Sequence, residues 1–202
     1  MSPLYLDNHI LVLNKSKGVL TLPSVHETDC LVEHGKAFLK EKFQKPGNVF
    51  LHPVHRLDRG ASGIVVFART SKALSRLNES IREGDWKKIY LLQCEGRLPQ
   101  KEGEIISYLN RCEYHTEVVK EGEGKRCMLR YRSLENGLVE VELLTGRYHQ
   151  IRAQFASIGC PIKGDTKYGA KSAPYQGGIA LHHARLTFTH PVTKELLTIE
   201  AD

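Results

Sequence analysis

From Trp86 to Leu144 the apolar residues fall largely on every second position, and this spacing constrains the chain more than any other feature. Leu129, Tyr131 and Ser133 alternate with Arg130 and Arg132, while Val139, Val141 and Leu143 alternate with Glu140 and Glu142. Successive side chains of a strand point to opposite faces, so the pattern is that of antiparallel strands with one face packed and one face wet. Asn136-Gly137 marks a hairpin between the two runs. A two-residue turn would set Arg132 opposite Val141 and mix the faces. A three-residue loop, Glu135-Asn136-Gly137 with Gly137 left-handed, sets Tyr131 opposite Val141 and Arg132 opposite Glu140, and this register is expected.

Helical spacing flanks this β region. Thr28 to Phe43 carries Leu31, Val32, Phe38, Leu39 and Phe43 on one stripe. A second helix is expected from Ser71 to about Arg82, capped by Thr70 or Ser71, stopped at Gly84, with Leu74, Leu77 and Ile81 inward. A third runs from Arg147 to Ile158 with Gly159 as its stop. Ser62–Ala68 is a short continuous apolar run, the mark of a buried strand. Leu4–Leu6 and Ile10–Leu13 read as a strand pair about the turn Asp7-Asn8-His9. Two late strands, Ile179–Phe188 and Leu196–Ile199, flank the turn His190–Thr193. The expected class is α+β, a mixed and largely antiparallel β-sheet with flanking helices. At 202 residues the chain is expected to form a single domain over 1–202.

No apolar run approaches the ~20 residues that span a bilayer. The N-terminal stretch Met1–Asp7 lacks the basic and apolar segments of a secretion signal. Five scattered cysteines include no Cys-x-x-Cys pair, which points to small buried thiols in a reducing compartment. A cytoplasmic protein without a membrane partner is expected. Lys and Arg exceed Asp and Glu by 29 to 23, a net charge of +6, which permits a polyanionic partner without requiring one.

Three polar clusters interrupt the regular patterns. His52-Pro53-Val54-His55-Arg56-Leu57-Asp58-Arg59-Gly60 precedes the apolar strand. A carboxylate between two arginines suits a nucleophile or base, although the segment taken alone reads better as a solvated turn. Thr145-Gly146-Arg147-Tyr148-His149-Gln150-Ile151-Arg152 places cations at a helix start, where the free N–H groups already attract anions. Cations there call for an anionic partner, a phosphate or a buried aspartate, unless the helix simply shows a basic face to water. Leu181-His182-His183-Ala184, with His52, His55 and His149, raises the idea of a metal. Neighbouring histidines on a strand face opposite ways, so no metal site is adopted. Gly159–Thr166 has the spacing of a phosphate loop, yet Asp165 stands where that loop needs lysine, and no nucleotide cofactor is expected.

Together these residues resemble one family, the RluA-type RNA pseudouridine synthases. His55-Arg56-Leu57-Asp58-Arg59-Gly60-Ala61-Ser62-Gly63 is similar to its H-R-L-D-x-x-T-S-G signature. Gly146–Arg152 resembles its G-R-x-H-Q-I-R segment, and Gly159–Asp165 with Tyr168-Gly169 its G-x-P-I-x-G-D-x-x-Y-G run. Lys88-Ile89-Tyr90 resembles its K-x-Y motif, and Leu181 through Pro191 its closing L-H-A…L…H-P segment. Ala61 departs from the usual threonine, and Ser16-Lys17-Gly18 from the usual P-x-G.

The resemblance implies a pseudouridine-synthase-like catalytic domain without the N-terminal RNA-binding module of many members, acting as a monomer on tRNA or rRNA. It implies that Asp58 attacks or deprotonates the ribose, that Tyr90 stacks on the target base and serves in proton removal at C5, and that Arg152 pairs with Asp58. Arg56 would fill the gap left by the flipped nucleotide, Leu181 would wall the base, and His55, Arg147, His149 and Gln150 would complete the substrate contacts. The reaction trades a C–N for a C–C bond without net redox change, so it calls for no cofactor and no metal. The competing expectation is an RNA-binding module of the same fold without catalysis.

Overall fold

The computed structural model describes residues 2–202, and Met1, the first residue of the stretch read for a secretion signal, lies outside them. Two compact units emerge. One comprises the chain up to Trp86 together with Ala184–Asp202, the other Lys87–His183.

In the first unit β1 (Tyr5–Leu6) folds back on β2 (Ile10–Lys15), as expected. Asp7 shapes the turn, its carboxylate accepting the N–H groups of His9 and Ile10 at 2.8 Å each. After α1 (Leu31–Lys42) and the short β3 (His52–Pro53), β4 (Ser62–Ala68) pairs antiparallel with β2, Val12 facing Val66. Gly63 to Ala68 are all buried, which is why this strand reads as one apolar run. The two faces of β2 are packed by different helices. Leu11 and Leu13 lie beneath Gly35 of α1, where an added Cβ would come within 2.6 Å of Leu51. Ile10 and Val12 join Ile64, Val66, Trp86, Leu186 and Phe188 with Ala73 and Leu77 of α2 (Ser71–Glu83). Thr70 caps α2 by accepting the Ala73 N–H at 3.1 Å, and Gly84 ends it at φ +83°. Such a cap contributes about 1 kcal/mol.

In the second unit β5 (Lys87–Leu92), β6 (Glu102–Arg111), β7 (Thr116–Val119), β8 (Lys125–Ser133) and β9 (Val139–Leu143) form an antiparallel array in the order β5-β9-β8-β6-β7. Tyr131 opposes Val141 and Arg132 opposes Glu140, the register expected. The loop closes through the Leu134 N–H donating to the Leu138 carbonyl at 2.8 Å. Asn136 is left-handed as well as Gly137, at φ +61° and +73°. The buried Tyr131 ring meets Phe155 of α3 (Gln150–Ser157) edge to face. β10 (Leu181–Thr189) begins in this unit and ends in the first, where β11 (Leu196–Glu200) pairs with it.

Eleven strands and three α-helices among the described residues make the chain α+β, as expected. Two helix starts differ from expectation. α1 begins at Leu31 instead of Thr28, because Cys30 is drawn into an extended bridge with Leu20 and the Leu31 N–H goes to the Leu20 carbonyl. α3 begins at Gln150 instead of Arg147, because His149 is left-handed at φ +52°.

Candidate active site

The Asp58 loop, between β3 and β4 in the first unit, is fastened at its backbone from several sides. Thr21 Oγ1 donates to the Leu57 carbonyl at 3.1 Å and lies 3.3 Å from the Leu57 N–H that it accepts. The Arg59 carbonyl receives the Gly18 N–H at 2.9 Å and Lys15 Nζ at 3.2 Å. The Ala61 N–H closes the turn on the Asp58 carbonyl at 3.1 Å. Lys15 is wholly buried and also donates to the carbonyls of Val19 and Ser16, at 2.7 and 3.0 Å. Burial lowers its pKa to about 8, the Asp58 charge opposing that shift and the Arg59 charge adding to it.

With the loop pinned in this way, the Asp58 side chain is only half-buried and Arg56 is exposed. Arg59 turns aside, its Nε donating to the Gly18 carbonyl and its guanidinium 3.0 Å from Glu27. His55 accepts the Val66 N–H at 3.2 Å and sets its ring edge to face against Trp86, bracing the approach to Arg56. Ala61 is buried at 1% exposure, so the residue that replaces the family's threonine packs inward.

In the second unit a different kind of assembly surrounds Arg152. The guanidinium makes a two-pronged pair with Asp165, Nε to Oδ2 at 2.7 Å and Nη2 to Oδ1 at 2.8 Å, and lies 4.8 Å above the Tyr168 ring. Both partners are buried, Asp165 at 1% exposure. A buried aspartate is thus what meets a cation in the first turn of α3. The Tyr168 hydroxyl is 2.9 Å from His149 Nδ1 and accepts the Thr116 N–H at 2.8 Å. The His149 ring stacks on Tyr148, with centroids 3.8 Å apart.

Gln150, at 2% exposure, binds the fold on every side. Its Oε1 accepts from Thr145 Oγ1 and the Arg147 N–H at 2.9 and 3.1 Å, and its Nε2 donates to the Met128 carbonyl and to Gln154. These bonds shape the turn that leaves the Arg147 side chain in solvent. Tyr90, opposite Val141 in β5, is buried and stacked on His183, with centroids 4.4 Å apart and planes 13° apart. Leu181, at the start of β10, is buried too. Its neighbours His182 and His183 differ as a strand requires, His182 partly exposed and His183 fully buried.

Sequence reasoning did not single out Lys15, Thr21, Asp165 or Tyr168 as parts of these two sites. Asp165 and Tyr168 stand inside the G-x-P-I-x-G-D-x-x-Y-G run, and the need of an anion near Arg152 is the signal that points to the first.

The family described as RNA pseudouridylate synthase matches residues 9–157. The chain is 34% identical to the dual-specificity RNA pseudouridine synthase RluA of Haemophilus influenzae, over 98% of this chain and 91% of that one. It is equally 34% identical to ribosomal large subunit pseudouridine synthase C of Escherichia coli, over 98% of this chain and 65% of that one. Human RNA pseudouridylate synthase domain containing 4 shares the fold at a TM-score of 0.80, covering 99% of this chain and 87% of that one at 20% identity. With the H-R-L-D loop and the R-x-H-Q-I-R turn both formed, the chain belongs to the RNA pseudouridylate synthase family.

Proposed function

We propose that this chain isomerises uridine to pseudouridine in RNA, tRNA or rRNA, through Asp58. The observation that carries the reading is the Asp58 loop, whose backbone is fastened at Leu57, Asp58 and Arg59 while the carboxylate remains half-buried. A group meant to react needs fixed geometry without being consumed by the core. Asp58 attacks or deprotonates the ribose, the C1′–N1 bond breaks, the uracil turns, and a C1′–C5 bond forms. The C5 proton is lost and N1 gains one, so atoms and electrons balance within an isomerisation. Tyr90 stacks on the target base and serves in that proton removal. Arg152 is the cation that serves Asp58, with Asp165 and Tyr168 as its positioning residues. Arg56 stacks where the flipped nucleotide was, Leu181 walls the base, His55, Arg147 and His149 contact or orient the RNA, and Gln150 serves them through the turn it shapes.

Loss of the C5 proton supplies the test. RNA labelled with tritium at uridine C5 should release it to water when tRNA or rRNA is incubated with the protein. RNA bound without release would favour the module without catalysis and overturn the assignment. Arg147→Ala should weaken RNA binding across sequences and lower the salt dependence by about one counterion.

A further inference from the structure

On the hairpin between β6 and β7 three side chains of metal-binding chemistry share one face. Cys112 follows β6, His115 precedes β7, and Glu117 lies within β7. The Cys112 N–H donates to the His115 carbonyl at 3.0 Å, so these two residues oppose one another across the turn Glu113-Tyr114. Opposed residues of an antiparallel pair point to the same face, and so do residues two apart on one strand. The pleat alone therefore brings Cys112, His115 and Glu117 together. A donor atom from each lies within 4.8 Å of the other two, with His115 Nε2 2.7 Å from the Glu117 carboxylate.

We propose that Cys112, His115 and Glu117 bind a divalent transition metal of the zinc class. Bonds of about 2.0–2.3 Å in a tetrahedral site put donors roughly 3.3–3.8 Å apart, so small side-chain rotations suffice, the His115–Glu117 edge of 2.7 Å opening and the wider ones closing. A thiolate with an imidazole selects borderline-soft cations over magnesium or calcium, and a carboxylate completes a donor set that zinc accepts. The side chains of His115 and Glu117 are 44% and 55% exposed, which leaves the fourth position to water and the metal free to exchange.

The site has a structural consequence through the residue between two of its ligands. Thr116 points to the opposite face, is buried, and donates from Oγ1 to the Tyr148 carbonyl at 2.8 Å. Its N–H donates to Tyr168, the ring that also meets His149 and Arg152. A metal that fixes residues 115 and 117 thereby fixes the anchor of both tyrosines, without entering the chemistry of the uridine.

Metal-free full-length protein titrated with zinc against a chromophoric chelator, and separately with cobalt, tests this. One equivalent should bind, and cobalt should show a thiolate charge-transfer band. Cys112→Ser should remove the band, and Cys112→Ser or Glu117→Gln should weaken zinc roughly tenfold or more, since even outer partners of metal ligands are worth that much. Zinc should raise the melting temperature of the wild type and not of Cys112→Ser, while Cys94→Ser should behave as wild type. Unchanged affinity in Cys112→Ser, a cobalt spectrum without a thiolate band, or no zinc binding by the wild type overturns the proposal.

Discussion

The Asp58 loop and the Arg152 turn hold a charged side chain in place by opposite means. Around Asp58 the fastening runs through main-chain carbonyls and N–H groups, supplied by Thr21, Lys15 and Gly18. Around Arg152 it runs through the side chain itself, a buried ion pair with Asp165 over the Tyr168 ring. In the first arrangement the printed bonds grip the main chain on both sides of Asp58, so the loop keeps these fastenings when a side chain is exchanged. In the second the charged group is itself a structural member, because the guanidinium is what Asp165 and the Tyr168 ring hold.

The sharpest test of that contrast is Asp58→Asn. Turnover should vanish while RNA affinity and melting temperature stay near wild type. A large loss of stability would mean that the carboxylate is itself part of the fastening. Asp165→Asn should do the reverse in magnitude, costing about 3–5 kcal/mol of stability by breaking the buried two-pronged pair with Arg152. Chemical denaturation measures it, and a cost below 1 kcal/mol would place the two regions in one class. Thr21→Val keeps the shape and removes both bonds to Leu57, which should cost roughly 1–3 kcal/mol. Its turnover should fall further than its RNA affinity, since only the aim of Asp58 is loosened.

The smallest effect is a pH slope. Lys15 sits at about 8 in the folded chain, below its ordinary 10.5, so between those values the unfolded chain holds more protons. Stability should therefore gain a rising component from about pH 8 toward 10.5, with the full cost of burying the charge present below pH 8. Comparing denaturation of wild type and Lys15→Met from pH 7 to 9.5 isolates it. Parallel curves would count against a buried, titrating amine.

What could be read from the sequence follows how local its cause is. The Tyr131–Val141 register follows from alternation and one turn signal, and the apolar stretch Ser62–Ala68 is a strand over the whole of the expected range. The start of α3 is not legible in the sequence, because Arg147 to His149 carry no breaker residue. The break comes from the left-handed His149 and the Gln150 side chain folding back on the Arg147 N–H. The Asp165 partnership spans 13 positions and the Thr21 clamp 36, and neither spacing has a periodicity to announce it. Lys15 is the extreme case, since a lysine ending an apolar strand reads as the residue that returns the chain to water.

The burial of that amine has a kinetic side. Lys15 Nζ is surrounded by three carbonyls and shows no surface, so an acylating reagent in solution reaches it only when the loop opens. Surface lysines react at rates set by the reagent, whereas Lys15 reacts at a rate scaled by the fraction of time its cage is open. Site-resolved labelling of this one amine thus counts excursions of the Asp58 loop away from its fastened state. A bound RNA that requires the fastened loop should slow the count in proportion to its occupancy.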